Sequence, residues 1–511
     1  MPKCTINGKE VEVKQGATII EAFRASGQDI CHYCWHPGLS VAGVCRLCMV
    51  DIEGNPRPQI ACNTQVTEGM KVSNQGEKLK EAVKWGLDFH LINHPLDCPI
   101  CDQAGECGLQ DQYMKFGKYD PEMAEEKVKK NKVVDLGPTV VLDSERCILC
   151  SRCVRFTDEV SKTHELGIFN RGDRAEIGTF NGKPLDNNYS LNTVDICPVG
   201  ALTSKDFRFR QRVWFLKEHK TICTGCSTGC STNVHYNKEG VFRVKPVYNE
   251  QVNSYWMCDV GRDVYKFVNR ASRLLDAKMK GEWVLPQVAA RKAGEEIRSG
   301  NKGATALVLT GQHTVEEYES LVGFFKSELG SSQVFHWVNN PEEMEKFDGL
   351  LYRGDKNPNT KGLKEVLSAN GINTKWSDLT DGIKSGAIQT VVVAGPENQA
   401  FFPDMQAKVT ELSKAKKLVW LTAGKNDALE ALAGDVTLIP LKTYVEKGGT
   451  FVNYAGLRQT VKKGLTVVAN SLSLREVADL LAGREVQPEQ APSKVGWGRV
   501  NNEAIATRGA L

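Results

Sequence analysis

The chain has 511 residues, 41% of them hydrophobic, with 65 Lys and Arg against 62 Asp and Glu and a net charge of +3. That length implies about three to five domains with sizeable cores, and near-neutrality gives no case for a nucleic-acid partner. No apolar run reaches the roughly 18 residues of a membrane span. The opening MPKCTINGKE lacks the apolar or Arg/Ser-rich stretch of a targeting peptide, so the expected compartment is a reducing cytosol.

All 17 cysteines lie in the first 258 residues. In a reducing compartment, cysteines at CxxC spacing read as metal ligands before they read as disulfides. Two basic runs, Lys127–Lys132 and Arg208–Arg212, read as solvated faces.

In chain order, residues 1–76 read as a β-grasp [2Fe-2S] ferredoxin domain. Lys3–Ile6 and Glu10–Val13 flank the hairpin turn Asn7-Gly8. Thr18 and Glu21 predict a capping box for a helix that Gly27 ends. A second helix is expected from Glu77 to Asn93, stopping before Pro95, with Leu79, Val83, Leu87 and Leu91 on one face. A ligand-dense coil through Cys107 completes a segment at 77–120. Short strands and turns are expected over 121–212, and a further cysteine domain over 213–270. From 271 to 483, apolar runs at Ala304–Thr310, Thr390–Ala394 and Leu418–Thr422 alternate with helical stretches such as Val315–Leu329. This pattern predicts βαβ units and a parallel sheet. A capped helix starts near Ser473, with Glu476 at its third position and Gly483 behind it. Residues 484–511 read as an extended tail.

Fifteen of the cysteines and one histidine form four candidate ligand sets. The first is Cys34, Cys45, Cys48 and Cys62, two clustered thiols plus outlying ones, as in plant-type [2Fe-2S] ferredoxins. Gly38 and Gly43 allow its loop to curl. The second is His94, Cys98, Cys101 and Cys107. An imidazole in place of a thiolate makes a cluster less negative and favours its reduced form. The third is Cys147, Cys150 and Cys153 completed by Cys197-Pro198, a [4Fe-4S] ferredoxin pattern in which the fourth ligand returns from far along the chain. The fourth is Cys223, Cys226, Cys230 and Cys258, also suited to [4Fe-4S]. Zinc is the competing reading for the first and fourth sets. Cys4 and Cys31 are left over and read as small buried hydrophobes. The expected cofactors are one [2Fe-2S] and three [4Fe-4S] clusters, with no FMN or NAD: GWGRVN lacks the third Gly of a dinucleotide fingerprint and follows no strand.

The segments SVAGVCRLCMV, NHPLDCPICDQAGECGLQDQ, RCILCSRCVRF, DICPVGAL and CTGCSTGC cover about Cys31 to Cys258. On them the chain resembles the large, 75 kDa-type iron–sulfur subunit of respiratory complex I, the NADH:quinone oxidoreductase, with a fourth set of the bacterial form. The resemblance implies single electrons arriving from a flavin subunit at the [2Fe-2S] cluster. They would pass to the Cys147 set, then the His94 set, then quinone-side subunits, with the fourth cluster off this path. It implies as partners the flavin/NADH-binding subunit, its small [2Fe-2S] companion and the quinone-side iron–sulfur subunits, with the membrane arm reached indirectly. It also implies a peripheral place on the cytoplasmic face of a bacterial inner membrane. The fold class that follows is α/β and α+β multidomain. From Val213 on the chain is similar to molybdopterin oxidoreductases, KTYVEKGGTFVNYAGLRQ resembling their motif near the pterin. With no cysteine after Cys258 as a molybdenum ligand and no final barrel, that domain is expected to be a truncated scaffold without molybdopterin. The alternative is a formate dehydrogenase or a hydrogenase-associated iron–sulfur subunit.

Overall fold

The computed structural model describes residues 1–120, 123–486 and 493–495. The expected tail falls almost wholly outside the described residues. The chain divides into two units, Met1–Phe215 and Leu216–Leu511.

In the first unit Asn7 and Gly8 both take positive φ, 47° and 84°. This is the geometry that folds a two-residue hairpin with the right-handed strand twist. It pairs Lys3–Ile6 with Lys9–Glu12, one residue earlier than the sequence suggests. Lys3–Ile6 then pairs in parallel with Met70–Ser73, and Met49–Ile52 and Gln59–Ile60 complete a five-stranded sheet. The helix Ile19–Ser26 has its Thr18/Glu21 capping box, ends at Gly27 (φ 73°) and buries Ile19, Ile20 and Phe23. These elements make the expected β-grasp. The next helix, Glu77–Leu91, buries Leu79, Val83 and Leu87 and stops two residues short of Asn93.

Two helices of eight or nine residues in this unit are absent from the sequence expectation, as is the single turn Asn192–Asp195. Gly108–Phe116 starts directly after Cys107. Arg152–Glu159 begins inside the third cysteine run and buries Cys153, Phe156 and Thr157. Each is about two turns long and offers one to three buried positions, too few to establish a 3.6-residue period. The basic runs are not simply solvated either. Lys127 donates to the carbonyls of Leu91 and Ile92, Lys130 to that of Ala175, and Lys132 pairs with Asp97 and Glu145.

The second unit opens with an antiparallel meander of Lys217–Ile222, Ser231–Tyr236 and Val241–Pro246. A seven-stranded sheet follows. Its order is Glu282–Val284, Ala277–Met279, Asp435–Pro440, Lys417–Thr422, Thr390–Ala394, Thr305–Leu309, Val334–His336. The last five are mutually parallel, and the first two form an antiparallel edge. Side chains alternate between two cores. Leu307, Leu309, Val392, Val419 and Leu421 enter one, and Ala306, Val308, Val391, Val393, Leu418 and Trp420 the other. Strands buried on both faces read as continuous apolar runs, which is why they are visible in the sequence. The capping boxes at Thr314/Glu317 and Ser473/Glu476 start helices packed on this sheet.

A buried ion pair ties that sheet to the loop after Pro440. Arg273 and Glu446 meet at 2.6 Å with side chains 0% and 2% exposed. Burial pushes the Glu446 carboxyl up, but the Arg273 charge and the N–H groups of Thr443, Val467 and Val468 outweigh it and leave the carboxyl below its ordinary value. Glu446→Ala should cost about 3–5 kcal/mol, since it strands a buried guanidinium. A urea unfolding midpoint within error of the parent would show that the pair is not what holds this loop.

Candidate functional site

All four thiols of the first set are buried. Cys34 and Cys45 lie with Sγ atoms 3.5 Å apart, and the Tyr33 N–H points at Cys45 Sγ from 3.5 Å. The contact with Cys45 holds Cys34 down to about 5, while Cys45 is pushed up by that same contact and by burial. Cys62 and Cys48 form a second such pair, Cys62 lowered and Cys48 raised. In each pair one thiol thus ionises ahead of its partner, and the thiolate is the form that binds metal. Gly43 sits at φ +66° with Ile60 Cδ1 only 3.2 Å from where a Cβ would stand. Cys31 lies buried beside this set and is pushed up to about 12 by burial. Cys4 is buried under the β-grasp sheet.

The second set lines a cavity of about 520 Å³ that all four side chains reach. His94 follows the Glu77–Leu91 helix, its N–H bonded to the Leu91 carbonyl at 3.1 Å. Burial, then the charges of Arg146 and Lys127, lower its pKa to about 4, so the imidazole is neutral at physiological pH. Its Nδ1 is buried without a hydrogen-bond partner. A neutral ring with a free buried nitrogen fits a metal ligand. Cys101 and Cys107 are buried, and Cys98 is exposed.

The third set lines one small cavity walled by Leu142, Ile177, Val199 and Leu202. Leu149 (φ 53°) and Ser151 (φ 59°) take left-handed conformations between the cysteines, the curl that turns three sulfurs inward. The Leu149 N–H points at Cys147 Sγ from 3.4 Å. Burial pushes Cys147 up to about 12 and Cys150 to about 11. In the second unit, Cys223, Cys226, Cys230 and Cys258 are all buried. The Gly225 and Gly261 N–H groups lie 3.3 Å from Cys223 Sγ and Cys258 Sγ, respectively. A Cβ on Gly261 would stand 3.0 Å from Cys223 Sγ and 3.3 Å from Cys258 Sγ. These donors and close approaches suit sulfurs that carry charge.

Among the described residues no three His, Cys, Asp or Glu donors converge closely enough to hold a single metal ion. The second and third sets instead ring cavities. The donor chemistry, thiols with N–H groups aimed at sulfur and one neutral imidazole, fits iron–sulfur clusters at each set.

Two connections join the sets of the first unit. From the Arg152–Glu159 helix, Arg152 donates to the Trp35 carbonyl at 2.7 Å and to that of Ile196 at 3.1 Å. Arg155 donates to the Cys34 carbonyl at 2.5 Å, the Cys150 carbonyl at 3.3 Å and the Ser40 carbonyl. The loop Cys197–Gly200 backs the second set. Pro198 O lies 4.0 Å from Cys107 Sγ, and a Cβ on Gly200 would overlap Cys101 Sγ. Neither the arginines nor Gly200 stands out in the sequence as functional. The cue is positional: each lies within three residues of a candidate ligand.

Four family models match in succession. They are the 2Fe-2S iron-sulfur cluster binding domain at residues 3–77 and the NADH-ubiquinone oxidoreductase-G iron-sulfur binding region at 86–121. The NADH-quinone oxidoreductase subunit 3 ferredoxin-like domain follows at 137–203 and the molybdopterin oxidoreductase Fe4S4 domain at 216–270. The chain is similar to the NADH-quinone oxidoreductase G subunit of Streptomyces coelicolor, 35% identical over 339 residues, 65% of this chain and 40% of that protein. It is similar to mitochondrial NADH dehydrogenase (ubiquinone) iron-sulfur protein 1 of Solanum tuberosum, 42% identical over 278 residues, 54% of this chain and 37% of that one. A third relative is the NADH-ubiquinone oxidoreductase 75 kDa subunit of Reclinomonas americana, 35% identical over 363 residues, 68% of this chain and 52% of that one. The chain thus spans from under two fifths to about half the length of these relatives. Among solved structures, an NAD+-reducing [NiFe]-hydrogenase in its H2-reduced state matches with TM-score 0.38 and 29% identity, over 42% of this chain and 91% of that one.

Gly200→Ala should force the Cys101 sulfur aside, an overpacking that costs about 1–3 kcal/mol. The expected outcome is loss of the iron and sulfide belonging to the His94 set, measured by chemical analysis of the purified chain. Full iron content would show that the Gly200 contact is not needed there.

Proposed function

We propose that this chain is, over its iron–sulfur half, a large iron–sulfur subunit of an NADH-quinone oxidoreductase, and that it relays single electrons from a flavin-bearing partner toward the quinone-side subunits. In this reading Cys34, Cys45, Cys48 and Cys62 hold a [2Fe-2S] cluster. His94 with Cys98, Cys101 and Cys107 holds a [4Fe-4S] cluster, as do Cys147, Cys150, Cys153 and Cys197, and Cys223, Cys226, Cys230 and Cys258. When bound, such clusters supply one-electron redox chemistry.

One observation carries the reading: the third set touches both others, the first through Arg152 and Arg155 and the second through Pro198 and Gly200. A row in the order first, third, second suits relay rather than storage. The protein's own groups do the rest. Apolar walls shield most of the sulfurs, Cys98 excepted, N–H donors favour added negative charge, and neutral His94 removes one charge from its set. No helix among the described residues is long and apolar enough to cross a membrane, which fits a peripheral subunit.

The test is a redox titration of the full chain followed by EPR, with iron and sulfide analysis. About 14 irons and about 14 sulfides per chain are expected from one [2Fe-2S] and three [4Fe-4S] clusters. About 10 irons would remove one [4Fe-4S] cluster and end the four-cluster reading.

The fourth set is proposed as mainly structural. It would tie Cys223 to Cys258 across the meander of the second unit. Closing that loop is worth roughly 3–5 kcal/mol before metal–ligand bonding is counted. Cys226→Ala should therefore reduce folding and complex assembly sharply, while any assembled complex keeps most of its NADH-to-quinone rate. Normal assembly with a collapsed rate would place the fourth cluster in the relay.

A further inference from the structure

The helix Arg152–Glu159 aims three side chains, at positions 152, 155 and 159, onto one loop of the ferredoxin domain. Arg152 takes the Trp35 carbonyl, Arg155 those of Cys34 and Ser40, and Glu159 accepts the Ser40 N–H at 2.8 Å. The spacing of three and four residues is that of one helix face. The same helix carries Cys153 and starts beside Cys150, so the face that grips the first ligand loop is built from the third.

Arg155 is the most committed of the three. Its Nη2 reaches the backbone carbonyls of two candidate ligands from different sets, Cys34 at 2.5 Å and Cys150 at 3.3 Å. Its Nε donates to Ser151 Oγ at 3.2 Å. A guanidinium stays charged and fixes several acceptors in one plane, which a lysine cannot do. Resting on the ligand assignment made above, we propose that Arg155 is the positioning residue that couples the first and third centres. It fixes their separation and places a positive charge beside both, where each electron adds negative charge. With clusters bound, Cys34, Cys45, Cys48 and Cys62 would hold the donor, oxidised by one electron, and Cys147, Cys150, Cys153 and Cys197 the acceptor, reduced by the same electron; no bond would be made or broken.

The test uses the full chain with its clusters, reduced by dithionite, as the parent and as Arg155→Leu and Arg155→Lys. Readouts are iron and sulfide content, the midpoint potential of each centre, the magnetic interaction between the first and third centres when both are paramagnetic, and the rate of electron passage between them after rapid mixing. Arg155→Leu is expected to lower the midpoints of the first and third centres together, leaving the second and fourth unmoved, and to weaken the magnetic interaction. Arg155→Lys, which keeps the charge but not the fork, should largely restore the midpoints yet leave the interaction weak. In both variants the rate should fall by about tenfold, the scale on which one charged hydrogen bond acts. Parent-like midpoints and interaction in Arg155→Leu at full iron content would overturn the proposal. If Arg155→Leu loses its clusters, Arg155→Lys decides: parent-like interaction and rate there would overturn it equally. A parent chain without the first or third centre would instead overturn the ligand assignment, and the proposal with it.

Discussion

Burying a thiol among apolar side chains disfavours its charged form, and that constraint governs this molecule. Burial raises Cys101, Cys107, Cys147, Cys150, Cys153, Cys197, Cys223, Cys230 and Cys258 above the ordinary thiol value. In the proposed assignment a thiolate there is stable only when a cation takes the proton's place, which would make metal binding and folding one equilibrium. The backbone makes the substitution less costly. Left-handed residues at Leu149 and Ser151 and N–H groups at Leu149, Gly225 and Gly261 turn donors toward sulfur. The first set differs in that its thiols work in pairs, each pair holding one sulfur ready to ionise.

Much of this is readable in the residues because it is local. The Asn7-Gly8 turn, the capping boxes at Thr18 and Ser473, and the apolar runs of the parallel sheet all act over a few residues, and each predicts its element nearly to the boundary. Most of the cysteine spacings are local as well, Cys197 and Cys258 apart, so the four sets can be proposed without a structure. What is not readable is what depends on distant partners. Nothing in RCILCSRCVRF says that its arginines grip residues more than a hundred positions earlier, at Cys34 and Trp35. Nothing in KVKKNK says that three of its lysines cap carbonyls and carboxylates around the His94 segment and its neighbours. Long-range hydrogen bonds leave no period in the sequence, and a two-turn helix leaves too short a one.

The second unit shows how a motif can be read for chemistry and serve as structure. The resemblance of KTYVEKGGTFVNYAGLRQ to a segment near a pterin invites a ligand, yet here its charged groups are answered from within the protein, while the buried Tyr444 hydroxyl has no hydrogen-bond partner. Lys447 lies 2.6 Å from both Glu317 and Glu397, all of them buried. Glu446 takes Arg273, the Tyr444 N–H takes Glu397, and the Thr450 and Val452 N–H groups take Glu316 and Asn359. A buried charge is tolerated only when it is paired and hydrogen-bonded, and these pairs run from the loop to the capped helix at Thr314 and to the strand ends at Ala394 and Thr422. The loop is therefore held by electrostatics as firmly as the sheet is by packing. On this account the charges of the motif fix a backbone path between two cores, and they would do so whatever the segment once bound.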